Sequence, residues 1–187
     1  MSLPLAHFCP FRTDWQIARY PQPGQPPRRR DGHPERAPAP VRDAIVVFES
    51  EKLTDDEIFA AAVLAKALLA LGKAEDAEKE LAPVSTIMNK SHYRNITFKI
   101  RIIAAQVRAE LGKTAEEGAN LEGILSEARR LGFVGQQLEA RLPLSVIELK
   151  SGKTAAGRAR LAALEKDARS KGFLLVAKKA AIRPSSR

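Results

Sequence analysis

The chain has 187 residues, 44% of them hydrophobic and 5% aromatic, which suffices for one domain or a short array of repeats. Its single cysteine, Cys9, excludes an internal disulfide, and no apolar stretch reaches the roughly 20 residues that a membrane-spanning helix needs. The net charge of +9 divides into +3 over residues 1–43, −2 over 44–150 and +8 over 151–187. Because the N-terminus also lacks a secretory pattern, we expect a cytoplasmic protein.

Residues 1–43 are predicted to be a disordered tail rich in proline and arginine. Alternatively, the start codon has been assigned too far upstream, and these residues do not belong to the natural protein. Nine of the 12 prolines lie here, and proline removes a backbone donor and disfavours helix before it. The aromatic residues of this segment leave open a short docking helix over 13–20. His7, Cys9 and His33 match no common zinc spacing, so we predict no metal site.

A repeating pattern begins at residue 44, and four kinds of landmark return in it at one constant interval. They are a turn glycine, an aromatic residue, a leucine and a small residue. In the same order, they are Gly72, Gly112 and Gly152; Tyr93, Phe133 and Phe173; Leu81, Leu121 and Leu161; and Ala65, Ala105 and Ser145. A fixed period of about 20–50 residues is typical of helical repeat arrays. We therefore predict a repeat domain over residues 44–182.

Each unit is predicted to contain two helices, since apolar residues recur at helical spacing. The first helices are expected at 55–71, 93–111 and 133–151, and the second helices at 74–89, 114–131 and 154–171. The units span 53–90, 91–131 and 132–171, with a partial unit at 172–182, an earlier helix at 41–52 and a tail at 183–187. Turn glycines are expected in the left-handed conformation, and Thr114 and Thr154 as N-caps.

The pattern resembles the tetratricopeptide repeat, in which a small residue, a turn glycine and a second small residue recur in order. The matching triplets are Ala65–Gly72–Ala77, Ala105–Gly112–Gly118 and Ser145–Gly152–Gly157, and in the middle unit Glu117 holds the strict third position. The resemblance implies an all-α fold, a right-handed α-α superhelix of antiparallel helix hairpins. The repeats here, at about 40 residues, are longer than the usual length of about 34 residues. Pro143, inside a first helix, departs from the pattern.

Residues 121–180 resemble more specifically the C-terminal repeats of large bacterial regulators that carry a serine/threonine kinase or a winged-helix domain. The similarity lies in the segments 128–133 and 148–161. It implies a scaffold that binds other proteins or peptides, as the accessory region of a bacterial signalling protein. No kinase motif is present in this sequence.

We predict no catalytic and no cofactor-binding residues. Gly-Lys-Thr occurs at 112–114 and 152–154, but a phosphate-binding loop needs an earlier glycine where Val107 and Ile147 stand. Acidic pairs such as Glu116 and Glu117 fall in first helical turns, where negative charge is favourable. The protein is therefore not expected to be an enzyme.

Two surfaces are candidate interaction sites. If the first helices line a concave groove, exposed residues on them would contact a partner; these are Lys99, Arg101, Arg108, Arg141 and Glu148. A basic C-terminal face is expected from Arg158, Arg160, Arg169, Lys178 and Lys179, and either it caps the array or it binds anions. The second reading supports an alternative function, a fragment of a nucleic-acid-associated transcriptional regulator. The near absence of aromatic residues there disfavours nucleic acid, and homodimerisation is a further expectation.

Overall fold

The computed structural model describes residues 38–182, and all regular structure within this range is helical. The helices are α1 Pro38–Ser50, α2 Thr54–Ala70, α3 Ala74–Ile87, α4 Arg94–Glu110, α5 Thr114–Arg130, α6 Val134–Lys150, α7 Thr154–Ser170 and α8 Leu174–Ala181, with a 3₁₀ helix at Met88–Lys90. The all-helical prediction is confirmed. The predictions for 1–37 and 183–187, including the docking helix over 13–20, lie outside the described residues.

Glycine ends five of the helices in the same way. Gly72, Gly112, Gly132, Gly152 and Gly172 all have positive φ, as the sequence predicted for turn glycines. At the first of these turns, the Lys73 N–H donates to Leu68 O at 2.9 Å and the Gly72 N–H donates to Leu69 O at 3.1 Å. This Schellman pattern satisfies carbonyls that the helix end leaves unpaired. It sets a short, uniform connection between consecutive helices.

Lys52 occupies the same kind of turn without being a glycine. It precedes Gly72 by half of the repeat period, and it has a φ of 56°. The Leu53 N–H that follows it donates to Phe48 O at 2.8 Å. A side chain in the left-handed conformation costs roughly 1–2 kcal/mol. The end of α1 therefore carries backbone strain that the glycine turns avoid.

Substituting Lys52→Gly is expected to raise the free energy of unfolding by about 1 kcal/mol, because glycine adopts this conformation without strain. The matched change Gly72→Ala is expected to lower it by a similar amount. A Cβ at Gly72 meets no atom within 4 Å, so its cost comes from the backbone alone. Urea unfolding of both variants measures the effect, and shifts of the same sign would contradict this reading.

The start of α1 and the N-caps of α5 and α7 differ from the sequence prediction. α1 spans Pro38–Ser50 and so includes residues assigned to the tail; its prolines at 38 and 40 lie in the first turn, where the missing N–H needs no partner. Thr114 and Thr154 are the first helical residues, so the N-cap positions belong to Lys113 and Lys153, which make no capping side-chain bond. Pro143 lies within α6, which continues through it.

The helices form two rows. α2, α4, α6 and α8 pack in succession against one another, whereas α3, α5 and α7 do not pack side by side to a comparable extent. Each helix also packs against its neighbours in the chain. The packing is looser between α3 and α4, which the 3₁₀ turn connects. The even-numbered helices therefore present one continuous surface.

Three apolar clusters fill the space between the rows, and each is shared by three successive helices. They join α2, α3 and α4, then α4, α5 and α6, then α6, α7 and α8. The predicted small residues Ala65, Ala105 and Ser145 are buried, and so are the predicted core leucines Leu81, Leu121 and Leu161. Each pair of helices thus completes its core only with the first helix of the next unit, as repeat arrays require.

Candidate interaction site

Arginines on the first helices pair with acids on the second helices. Arg101 Nη1 lies 2.6 Å from Glu127 Oε2, and Arg141 Nη1 lies 2.5 Å from Asp167 Oδ2. Both members of the second pair hold the same repeat positions as those of the first, one unit later. The hydrogen bond from Arg101 lowers the pKa of Glu127, and the hydrogen bonds from Lys171 and Arg141 lower the pKa of Asp167. These pairs hold the two helices of a unit together.

Two more residues predicted for the groove also face a second helix. Arg108 Nη1 lies 3.6 Å from Oε1 of Glu117, whose other oxygen accepts a bond from Asn120 Nδ2 at 2.8 Å. Glu148 accepts a bond from Arg160 Nη2 at 2.8 Å. The sequence predicts exposed side chains at these four positions of the groove, which are Arg101, Arg108, Arg141 and Glu148. All four are only partly exposed, and their charged groups pair within the chain.

A cleft opens instead on the surface of the even-numbered helices. It has a volume of about 210 Å³ and draws residues from α2, α4, α6 and α8. Its lining consists of Lys66, Lys99, Ile102, Ile103, Gln106, Glu139, Leu142, Leu175, Val176 and Lys179. Of the five residues predicted for the groove, Lys99 alone lines this cleft. Its ammonium also lies 5.0 Å from the ring centre of Phe59, a cation–π contact.

The five residues predicted for a basic face do not form a single surface of unpaired positive charges. Arg160 pairs with Glu122 and Glu148, Arg169 pairs with Glu165, and Lys179 lines the cleft. Arg158 and Lys178 are exposed, and neither forms an ion pair within the described part of the chain. Two of the five charges are therefore compensated by acids of the same chain.

At Lys178 a charged residue replaces an apolar residue of the repeat. It holds the repeat position that Ile58, Phe98 and Leu138 hold in the preceding units, where each is almost fully buried. On α8 this position carries an exposed ammonium instead. A charged side chain suits this position because no further helix covers it within the described chain.

Within residues 38–182, no group of three or more His, Cys, Asp or Glu side chains is arranged to hold a metal ion. None of the described helices combines the length and apolar character that crossing a bilayer requires. No protein-family profile, curated protein or solved structure matches this chain.

Proposed function

We propose that residues 38–182 form a curved, tetratricopeptide-like superhelix that binds a segment of another protein along the cleft of α2, α4, α6 and α8. The observation that carries the proposal is that four helices from successive units place residues around one cleft. Closer packing in the even-numbered row than in the odd-numbered row favours curvature toward the cleft. A peptide laid across the row would contact every unit.

The chemistry of the cleft also supports a peptide ligand. Aliphatic side chains of Ile102, Leu142 and Val176 lie beside lysine and glutamate side chains. The volume of about 210 Å³ is below the roughly 300–1,000 Å³ of pockets that enclose a drug-sized ligand. A cleft of this size suits one or two side chains of a longer segment. The exposed ring of Phe59 on α2 extends the surface that such a segment would cover.

The setting that we propose, a scaffold within a bacterial signalling or regulatory protein, rests on the resemblance of residues 121–180. The alternative, a nucleic-acid-associated regulator, draws on the charge of +8 over residues 151–187. The described residues support this alternative weakly, because the ion pairs of Arg160 and Arg169 make these two arginines less available to phosphate groups. Steep salt dependence of binding to duplex DNA would favour that alternative.

Selection from a displayed random peptide library tests the proposal. Peptides enriched on the full chain are expected to lose binding to Gln106→Trp, because Gln106 lines the cleft and an indole ring would fill it. Ser126→Trp is the matched control, since Ser126 is exposed on α5 in the odd-numbered row. Circular dichroism verifies that both variants keep their helix content. Failure to enrich any peptide, or equal binding by both variants, would refute the assignment.

A further inference from the structure

One repeat position runs through the cleft from α2 to α8. It is held in successive units by Phe59, Lys99, Glu139 and Lys179. Lys99, Glu139 and Lys179 all line the cleft. Lys66 lies two helical turns after Phe59, on the same side of α2, and adds a third ammonium to the lining. The period thus brings together charges that lie far apart in sequence.

The cleft is therefore electropositive. Three lysines and one glutamate line it, a net charge of +2, and none of these four side chains forms an ion pair within residues 38–182. Burial lowers the pKa of Lys66, the neighbouring Lys179 ammonium lowers it further, and Glu139 partly opposes this. Like charges brought together in a partly desolvated site disfavour the charged form. An anion placed between them would relieve that repulsion.

We propose that this cleft is an anion pocket, that it holds the carboxylate of an acidic residue in the bound protein segment, and that this carboxylate ties α2 to α8. This inference rests on the proposed function. A peptide carboxylate fits better than an isolated inorganic anion because Ile102, Leu142 and Val176 offer the aliphatic contacts that the stem of a glutamate or a neighbouring leucine would use. The occupant is therefore an acidic segment that also carries apolar residues.

The tie between helices follows from the position of the lysines in the fold. Lys66 belongs to α2 and Lys179 belongs to α8, which are the outermost helices of the even-numbered row in the described chain. In the unliganded protein their like charges favour separation. A carboxylate bonded to both replaces that repulsion by two charge-assisted hydrogen bonds. Binding should therefore restrict the separation of the two ends of the row.

Binding is tested with the full chain and a fluorescein-labelled peptide of alternating Glu and Leu. Lys179→Ala is expected to raise the Kd about 10-fold, the loss of one charge-assisted hydrogen bond. Lys178→Ala is the matched control: it removes an exposed lysine of the same helix and should leave the Kd unchanged. Glu139→Gln should lower the Kd about 3-fold, because it removes the negative charge from the lining.

Other probes identify the ligand. A peptide of alternating Gln and Leu should bind weakly, and equal affinity for it would overturn the anion pocket. Duplex DNA and inorganic phosphate are tested as competitors of the acidic peptide. If either one competes, and if Lys179→Ala lowers the affinity for that competitor more than it lowers the affinity for the peptide, the peptide assignment is overturned. If peptides selected from the random library lose binding to Gln106→Trp but bind Lys179→Ala as well as the unaltered chain, the proposed function stands and the anion pocket is wrong. If no peptide binds, the proposed function itself fails.

The tie is measured separately, by spin labels at Ala70→Cys and Ala181→Cys in a chain carrying Cys9→Ser. Both alanines are exposed near the C-terminal ends of α2 and α8. Adding the acidic peptide should narrow the distance distribution, and Lys179→Ala should abolish that change. An unchanged distribution with saturating peptide would show that the ligand binds without joining the two helices.

Discussion

Replacing Arg108 with alanine is expected to lower the free energy of unfolding by about 3 kcal/mol, because it leaves a buried carboxylate without its cation. Glu117 is 1% exposed, and the Arg108 guanidinium lies 3.6 Å from its Oε1. The remaining bond, from Asn120 Nδ2 at 2.8 Å, is a neutral amide that offsets only part of the cost of burying a charge. Urea unfolding at neutral pH, followed by circular dichroism, measures the change.

Glu117→Ala is the control for this prediction and should change the free energy of unfolding by less than about 1 kcal/mol. The equivalent positions one repeat away hold Ala77 and Gly157, so a small residue suits the packing. Arg108 tolerates the loss of its partner because 40% of its side chain remains exposed. Combining the two substitutions should recover much of the stability that Arg108→Ala loses. A double variant as unstable as Arg108→Ala would show that the aliphatic stem of Arg108 is what matters.

The helices were largely predictable because the residues of the turns recur at the repeat interval. A glycine with positive φ and a fixed set of backbone hydrogen bonds recurs at each marked junction, so helix ends fell within two residues of expectation. The junction at residue 92 carries histidine instead. There α3 stops at Ile87 and a 3₁₀ turn leads to Ser91, whose hydroxyl donates to Asp55 at 2.5 Å. The local structure therefore differs at this junction, whereas the glycine-free junction at Lys52 keeps the left-handed turn.

The cleft was less predictable because polarity alone does not say which way a helix face points. Lys99 and Arg101 are two residues apart, so they project about 200° apart around α4 and cannot line the same groove. Arg101 and Arg108, seven residues apart, share the face that meets the acids of α5. The signal that marks the cleft is the repeat position of Lys99, which leads to Glu139 and Lys179 in the following units.

The buried Glu117 shows a different limit. The sequence placed it at the position of a small residue, and Gly118 beside it offered an alternative register. The structure keeps the strict register and buries the carboxylate, because Arg108 and Asn120 both reach it. A sequence pattern treats one position at a time, whereas this arrangement depends on three side chains from two helices. At Gly157, by contrast, the repeat pattern already predicts a small residue, and a backbone carbonyl on the neighbouring helix explains why.

Gly157→Ala is expected to lower the free energy of unfolding by about 2 kcal/mol, because α6 and α7 leave no room for a side chain where they cross. A Cβ built at Gly157 lies 2.9 Å from the backbone oxygen of Ser145 and 2.8 Å from Cγ of Leu149. The leucine can rotate away, but the carbonyl moves only with the helix. Relief would require α6 and α7 to separate, which would loosen the cluster around Leu161. Thermal and urea unfolding measure the loss.

Gly123→Ala is the matched control, since Gly123 lies inside α5 and a Cβ there meets nothing within 4 Å. That change should raise the free energy of unfolding by about 1 kcal/mol, the ordinary gain of alanine over glycine within a helix. Helix propensity favours alanine at both sites. A loss of stability in Gly157→Ala and a gain in Gly123→Ala would therefore show that steric contact, and not helix propensity, determines the effect at Gly157. If Gly157→Ala were also stabilising, the close approach of α6 and α7 would not hold in solution. Packing between the rows would then not account for the glycine at position 157.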